Sequence, residues 1–163
     1  MLCWLPLALV GCGGKTTPTA PKTVDDFFPI ALGGQPARLQ LAVHMTEMQR
    51  GLMGRREIGA NDGMVFVYAA PQAMSFWMRD TPSPLDIGFF DRDGVLREVY
   101  AMQPFDETPI RSHSERLQFA VEMNQGWYRA HGVKPGARLD RAALIAGLRA
   151  RGFDPTRFGL PAE

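Results

Sequence analysis

The chain has 163 residues, of which 45% are hydrophobic and 21% are charged, and its formal net charge is +1. This length is enough for one domain with a substantial core, and a charge so close to zero gives no electrostatic reason to expect nucleic acid as a partner. No continuous apolar run is long enough to span a bilayer, so attachment to a membrane would need another device.

The N-terminal segment resembles the lipobox of a bacterial lipoprotein. Leu-Val-Gly at positions 9–11 ends an apolar run and precedes Cys12, which would be acylated and become the new N-terminus. We therefore expect residues 1–11 to be a signal segment and the protein to be periplasmic, anchored by lipid to the cell envelope, most simply at the outer membrane. The alternative is a soluble protein with a wrongly assigned start, because the segment is short and has no Lys or Arg before Lys15.

The rest of the chain divides into three parts by composition. Residues 12–23 carry the lipidated cysteine and are rich in Gly, Thr and Pro, which is typical of a flexible tether. Residues 24–140 form one β-rich domain, and residues 141–163 form a C-terminal helix and tail.

Strand signals dominate the domain. Leu39, Leu41 and Val43 alternate with other residues and would share one face of a strand. Further runs of β-forming residues occupy 64–68, 74–78, 85–90, 95–102 and 117–123. Gly94 would take the left-handed position in the turn of a hairpin. Short, closely spaced strands with few helices predict a mainly β fold, a compact β-sandwich or partly closed barrel with short peripheral helices.

Two helices accompany these strands. Thr46 and Gln49 have the spacing of a capping box, which predicts a helix that ends at Gly54. Asp140 would cap a C-terminal helix over 141–151 that docks on the domain surface. Its apolar stripe consists of Leu144, Ile145 and Leu148. A single helical turn is also expected around 127–131.

The common catalytic and nucleotide-binding motifs are absent from the sequence. There is no G-x-S-x-G, no P-loop, no G-x-G-x-x-G and no H-E-x-x-H. We therefore assign no catalytic residue, no metal site and no cofactor, and an enzyme is the less favoured class.

Methionine and histidine raise one metal alternative. His44, Met45 and Met48 lie at the first helix, and Met74 and Met78 lie on a strand. Thioether and imidazole together suit Cu(I), so the chain could be a copper carrier. Packing of methionine in an irregular core is the favoured interpretation.

Two stretches combine apolar anchors with charges that a core does not need. Arg50 lies among glycines on the first helix, and Trp77 is followed closely by Arg79 and by acidic residues. Trp77 could stack a ring or a sugar, and the two guanidinium groups could hold a carboxylate or phosphate. The candidate ligand-binding residues are Arg50, Trp77, Arg79, Asp80, Asp86 and Glu122. The equally weighted alternative places Trp77 in the core and joins the charged residues in a structural ion-pair network.

The same stretches resemble the domain-of-unknown-function family 192 (DUF192). The resemblance is carried by 48–55, 63–66, 76–81, 84–86, Gly94, Glu122 and the turn at 132–136, and it covers about residues 23–140. It implies a compact, β-rich, sandwich-like domain that is often exported, with no established reaction, cofactor or catalytic residue. Asp80 stands where Asn is common in the family.

The leading hypothesis is a lipid-anchored envelope protein whose domain is a binding module. Its partner would be a small molecule, a cell-wall glycan or an envelope protein, and not nucleic acid. The first alternative is a glycan-acting hydrolase that uses Asp86 and Glu122 as its carboxylate pair, which must then lie about 5–9.5 Å apart across a cleft. The second is the Cu(I) carrier.

Overall fold

The computed structural model describes residues 20–162. The predicted lipobox and Cys12 lie outside this range. The strands are β1 (Phe28–Pro29), β2 (Arg38–Ala42), β3 (Asp62–Gln72), β4 (Ser75–Phe76), β5 (Leu85–Asp91), β6 (Leu96–Met102), β7 (Ile110–Arg111) and β8 (Leu117–Asn124). The helices are α1 (Met45–Arg50), α2 (Trp127–Ala130) and α3 (Arg141–Ala150), followed by a 3-10 helix over Pro155–Phe158. Within the described range no helix combines the length and hydrophobicity that a membrane span requires.

Six strands form one sheet in the order β1-β2-β3-β8-β5-β6. β2 and β3 are parallel, whereas the other neighbours are antiparallel. β4 and β7 form a separate two-stranded ribbon. The prediction of a mainly β, sandwich-like fold is confirmed, and the sheet formed by residues 20–162 is open and not a closed barrel.

The central strands are buried on both faces of the sheet. Val65 and Val121 belong to a core cluster on one face, and Phe66 and Phe89 belong to a second cluster on the other. Directly paired residues of antiparallel strands project to the same face, so the pairing of Phe89 with Ala120 places both in the second cluster. We call this side of the sheet the pocket face, because it carries the site described below.

Helix α3 completes the core on the other face. The predicted stripe is confirmed, since Leu144 and Leu148 are fully buried, so the helix is an integral part of the core more than a surface addition. Gly147 lets the helix approach the sheet closely, because a Cβ there would lie 3.2 Å from side-chain atoms of both Leu41 and Phe28. Asp140 caps the helix as predicted by accepting a hydrogen bond from the backbone amide of Ala143, at 2.9 Å.

Helix α1 begins and ends earlier than predicted. Its N-cap is His44 and its N3 residue is Glu47, so the predicted capping box of Thr46 and Gln49 is wrong. The carboxylate of Glu47 accepts hydrogen bonds from the backbone amides of Val43 and His44, at 2.9 and 3.0 Å. The same carboxylate forms an ion pair with Arg151, at 2.5 Å, and this distant partner fixes the start of the helix.

The other local predictions agree with the structure to within a few residues. Strand β2 has Leu39 and Leu41 in one core cluster, with Val43 packed against it. Gly94 has φ +75° in the hairpin between β5 and β6. The helical turn at 127–131 is α2. The run at 74–78 contributes only the two residues of β4, which makes it the largest overestimate.

Candidate functional site

A pocket of about 210 Å³ opens on the pocket face between α1, β3 and β4. Its walls are mostly apolar and aromatic, and its floor includes one carboxyl group. The lining includes Met48, Gly51, Phe66, Phe76, Trp77 and Glu122. The volume is below the roughly 300–1,000 Å³ of sites for drug-sized ligands, and it corresponds to about seven water-sized groups. The pocket can therefore admit a small molecule or the head group of a larger one.

The floor carboxyl belongs to Glu122 on β8. Glu122 pairs with Ile87 and Met64 in the sheet, so its side chain projects into the pocket face. The residue is only 5% exposed, and its Oε2 atom has no hydrogen-bond partner among residues 20–162. Burial raises the pKa of Glu122 to about 8. The carboxyl group is therefore mostly protonated at pH 7, because no positive charge or donor compensates its desolvation.

Gly51 brings the chain over this carboxyl group. It ends α1 with φ +47° and ψ −131°, a conformation that side-chain-bearing residues rarely adopt. A Cβ at this position would lie 3.7 Å from Oε2 of Glu122 and 3.4 Å from the ring of Phe66. The absence of a side chain at Gly51 thus keeps open the space above the buried carboxyl group.

Aromatic rings form one wall of the pocket. Phe66 and Phe76 contact each other edge to face, with ring centroids 4.9 Å apart. Trp77 is 44% exposed at the rim, so the alternative that placed it in the core is wrong. Tyr68, further along β3, has a pKa raised to about 12 by burial and by the charge of Glu122. Exposure falls from 44% for Trp77 through 9% for Phe76 to 1% for Phe66, so Trp77 is the outermost ring of the wall.

Three of the six predicted site residues line this pocket, namely Arg50, Trp77 and Glu122. Arg79 and Asp80 do not line it. The guanidinium carbon of Arg79 lies 5.6 Å from the centroid of the Trp77 ring, and its Nε atom lies 3.7 Å from Asp80 Oδ2. Both side chains are more than half exposed, and Asp80 has φ +52°, so its visible role is to form a turn. The left-handed region favours Asn and Asp over other side chains, which accounts for either residue at this position.

Asp86 lies on the opposite face of the sheet from Glu122. Glu122 pairs with Ile87, the neighbour of Asp86 on β5, and successive residues of a strand project to opposite faces. Asp86 accepts a hydrogen bond from the amide of Gly126 at 2.7 Å, and burial raises its pKa. The two carboxyl groups cannot flank one glycosidic bond, so the predicted hydrolase pair is wrong.

The alternative of a structural ion-pair network is also wrong. Within residues 20–162, neither Glu122 nor Asp86 forms a salt bridge, and Arg50 pairs with no carboxylate. Among the residues that the structure describes, Arg79 pairs only with Asp80, its neighbour in sequence. Ion pairing among the described residues thus does not explain why Glu122 and Asp86 are buried.

Two of the four methionines of the copper alternative serve the core, whereas Met45 is 68% exposed and Met48 is partly buried at the pocket. Met74 and Met78 are buried in the second cluster, at 3% and 2% exposure. The ring of His44 packs against Phe153, with centroids 5.1 Å apart. The described part of the chain has no group of three His, Cys, Asp or Glu residues arranged to hold a metal ion. The core-packing interpretation therefore holds for Met74 and Met78.

Sequence reasoning missed the ion pair that holds α1 in place. The side chain of Arg151, at the end of α3, is 5% exposed, and it binds Glu47 through two nitrogen atoms while also donating to the carbonyl of Leu41. Burial alone would raise the pKa of Glu47, but the hydrogen bonds from Arg151, Val43 and His44 lower it below its usual value. No local sequence signal joins positions so far apart. The pair connects the C-terminal helix to the helix that forms one side of the pocket.

Comparisons with known proteins give a family and a fold but no activity. The family model DUF192, described as "Uncharacterized ACR", matches residues 29–141. A candidate transcription regulator from Sinorhizobium meliloti 1021 is 30% identical with a TM-score of 0.67, and the match covers 72% of this chain and 95% of that one. A protein of unknown function from Novosphingobium aromaticivorans DSM 12444 is 32% identical with a TM-score of 0.67, over 78% of this chain and 99% of that one. No curated protein matches. Because the family model matches more than half of its residues, the chain belongs to the DUF192 family.

Proposed function

We propose that this DUF192 domain is a binding module that takes a small ligand, or the head group of a larger one, into the pocket above Glu122. The observation that carries the proposal is the unpartnered Oε2 atom of Glu122 beside an open, apolar cavity. A buried polar atom without a hydrogen bond costs about 1–3 kcal/mol, so a ligand that supplies the missing bond recovers that energy on binding.

The lining of the pocket favours binding over catalysis. Among the described lining residues, Glu122 is the one acidic group, and no histidine, cysteine or lysine lies with it. Tyr68 and Ser75 supply hydroxyl groups, and the pKa of Tyr68 is raised to about 12. General acid–base chemistry on a bound substrate normally needs a second group whose pKa lies near the working pH, and the raised pKa of Tyr68 does not. DNA binding, which the description of the S. meliloti protein suggests, is not favoured by a net charge of +1.

A matched series of four-carbon compounds tests the proposal. Butylamine, butan-1-ol and butyrate share an apolar chain and differ in the end group that would reach Glu122. We expect at least one of them to shift the NMR signals of the Gly51 amide and the Trp77 indole, with Trp77→Phe identifying the indole signal. If none of the three shifts these signals, or if the shifts map to other surfaces, the pocket is not a ligand site.

We further propose that the protein is exported and attached to the cell envelope by a lipid on Cys12. The support is the order of an apolar run, Leu-Val-Gly, Cys12 and a Gly- and Pro-containing tether. Mass spectrometry of the membrane fraction should detect an acylated N-terminal peptide that begins at Cys12, and Cys12→Ser should move the protein to the soluble fraction. An unmodified Met1 or Cys12 in that fraction would end the anchor proposal without affecting the pocket.

A further inference from the structure

The missing partner of Glu122 can be a hydrogen-bond donor in either protonation state, because a carboxyl group keeps acceptor capacity whether it is neutral or ionised. A ligand anion at this depth would lose its hydration without meeting a cationic side chain on the floor that the described residues form, which is unfavourable in a buried site. A hydroxyl, an amide or an ammonium group could each donate to Oε2. The walls of the pocket decide among these three.

The walls favour a positively charged donor. The faces of aromatic rings carry negative electrostatic potential and attract ammonium groups, and a thioether sulfur is a weak acceptor. The pocket has aromatic and thioether side chains around its carboxyl floor, namely Met45, Met48, Phe66, Phe76 and Trp77. Arg50 is exposed at the mouth, where solvent and salt screen its charge from the floor.

On this geometry, and resting on the proposed binding function, we propose that the pocket binds a primary or secondary organic ammonium group, with an N–H of the cation donating to the carboxylate of Glu122. The aromatic rings surround the apolar carbon atoms next to the nitrogen. Arg50 at the mouth could in turn hold an anionic group at the far end of the same molecule. A groove of about 500 Å³ shares Met45, Met48 and Tyr68 with the pocket and offers apolar surface to a longer chain.

Binding in this way moves a proton. The free protein holds Glu122 as a neutral acid, and the ammonium ion enters with its own proton in place. Glu122 then releases its proton to solvent, and the complex contains a buried ammonium–carboxylate pair. Covalent bonds of the ligand do not change.

Proton release makes the affinity depend on pH in a defined direction. With a pKa of about 8 for free Glu122, affinity for an ammonium ion rises about fiftyfold from pH 6 to pH 8 and then levels off. The other groups near Glu122 do not titrate in this window. Arg50 carries a fixed charge, Tyr68 has a pKa of about 12, and the pKa of Tyr128, across the sheet, is raised well above its usual value.

The four-carbon series separates this inference from the proposed function. We expect butylamine to bind with an affinity that rises about fiftyfold from pH 6 to pH 8, and butan-1-ol and butyrate to show no such rise. Glu122→Gln should abolish this rise and weaken butylamine at pH 8, whereas Glu57→Gln, at an exposed position, should leave both unchanged.

Binding of butan-1-ol or butyrate at the pocket without butylamine would leave the binding function intact and overturn the ammonium assignment. Butylamine binding that is independent of pH, or that survives Glu122→Gln unchanged, would overturn it as well. Absence of binding by all three compounds would remove both proposals together.

Discussion

The buried carboxyl group of Glu122 should make the protein less stable as the pH rises through neutrality, which is the reverse of the usual behaviour of an acidic residue. The pKa of Glu122 is about 8 in the folded protein, against an ordinary value of 4.5. Between these values the folded state holds one more proton than the unfolded state, so the free energy of unfolding falls with increasing pH.

The magnitude follows from the separation of the two pKa values. Each unit of pH between them removes about 1.4 kcal/mol of stability, so the total reaches about 5 kcal/mol above pH 8. This is comparable with the roughly 5–15 kcal/mol that separates folded from unfolded states in typical domains. The loss should therefore be visible as a shift of the urea midpoint.

Glu122→Gln isolates the effect, because glutamine has nearly the same shape and remains neutral. In urea unfolding at pH 5, 6, 7 and 8, the free energy of unfolding of the variant minus that of the wild type should rise by about 1.4 kcal/mol per unit of pH up to about pH 7.5. Asp86 and the ion pair of Glu47 are present in both proteins, so their titrations cancel in the difference. Glu57→Gln, at an exposed position, should show no such trend. A difference that stays constant, or one that falls as the pH rises, would show that Glu122 is ionised in the folded state and would refute the reasoning.

Three further substitutions, with Gly54→Ala as a control, test the packing of the site and of the fold that supports it. Gly51→Ala should lower stability by about 1–3 kcal/mol and weaken pocket binding in NMR titrations. Gly54 also has a positive φ, but a Cβ there would meet no heavy atom within 4 Å. Gly54→Ala should therefore lower stability by about 1–2 kcal/mol and leave binding unchanged. Gly88→Ala would place a Cβ 2.5 Å from the hydroxyl oxygen of Tyr128, so we expect a loss of about 1–3 kcal/mol in urea unfolding; unchanged stability would contradict the close packing. Arg151→Ala leaves the carboxylate at the start of α1 without its buried partner and should cost about 3–5 kcal/mol in the same assay; a loss below about 1 kcal/mol would mean that the pair is effectively solvated.

The sequence was a good guide wherever the evidence was local. The alternation of Leu39, Leu41 and Val43, the turn at Gly94 and the cap at Asp140 each depend on neighbouring residues, and each is present in the structure. The errors arose where a distant partner decides. The helix has its N-cap at His44 with Glu47 at N3, and not at the predicted Thr46, because Glu47 is held by an ion pair with Arg151 from a distant part of the sequence.

The candidate site also depends on a non-local feature, the pairing register of β5 and β8, which the sequence does not reveal. The sequence identifies Asp86 and Glu122 as acidic residues in apolar surroundings. Whether their side chains project to the same face of the sheet depends on which residues of β5 pair with which residues of β8. A shift of one residue in that pairing would have brought them together, since it reverses the face of every side chain. The pairing of Ile87 with Glu122 separates them instead, and this pairing has no signature in either strand alone.

The cost of Glu122 is the strongest physical argument that its side chain has a use. An apolar residue of similar size would pack with Ile87 and Phe66, its neighbours on the pocket face, and would avoid an unpaired polar atom. Nothing in the fold requires a carboxyl group there, because its Oε2 atom bonds to no described part of the chain and β8 is held by its backbone pairing. Gly51, above this carboxyl group, has a backbone conformation that only glycine adopts with little strain. Its lack of a side chain preserves space over Glu122, the one group that the core would be more stable without. The buried carboxyl group of Glu122 and the backbone conformation of Gly51 are each unfavourable for stability, and they lie next to each other. A ligand that contacts both residues explains why both are present.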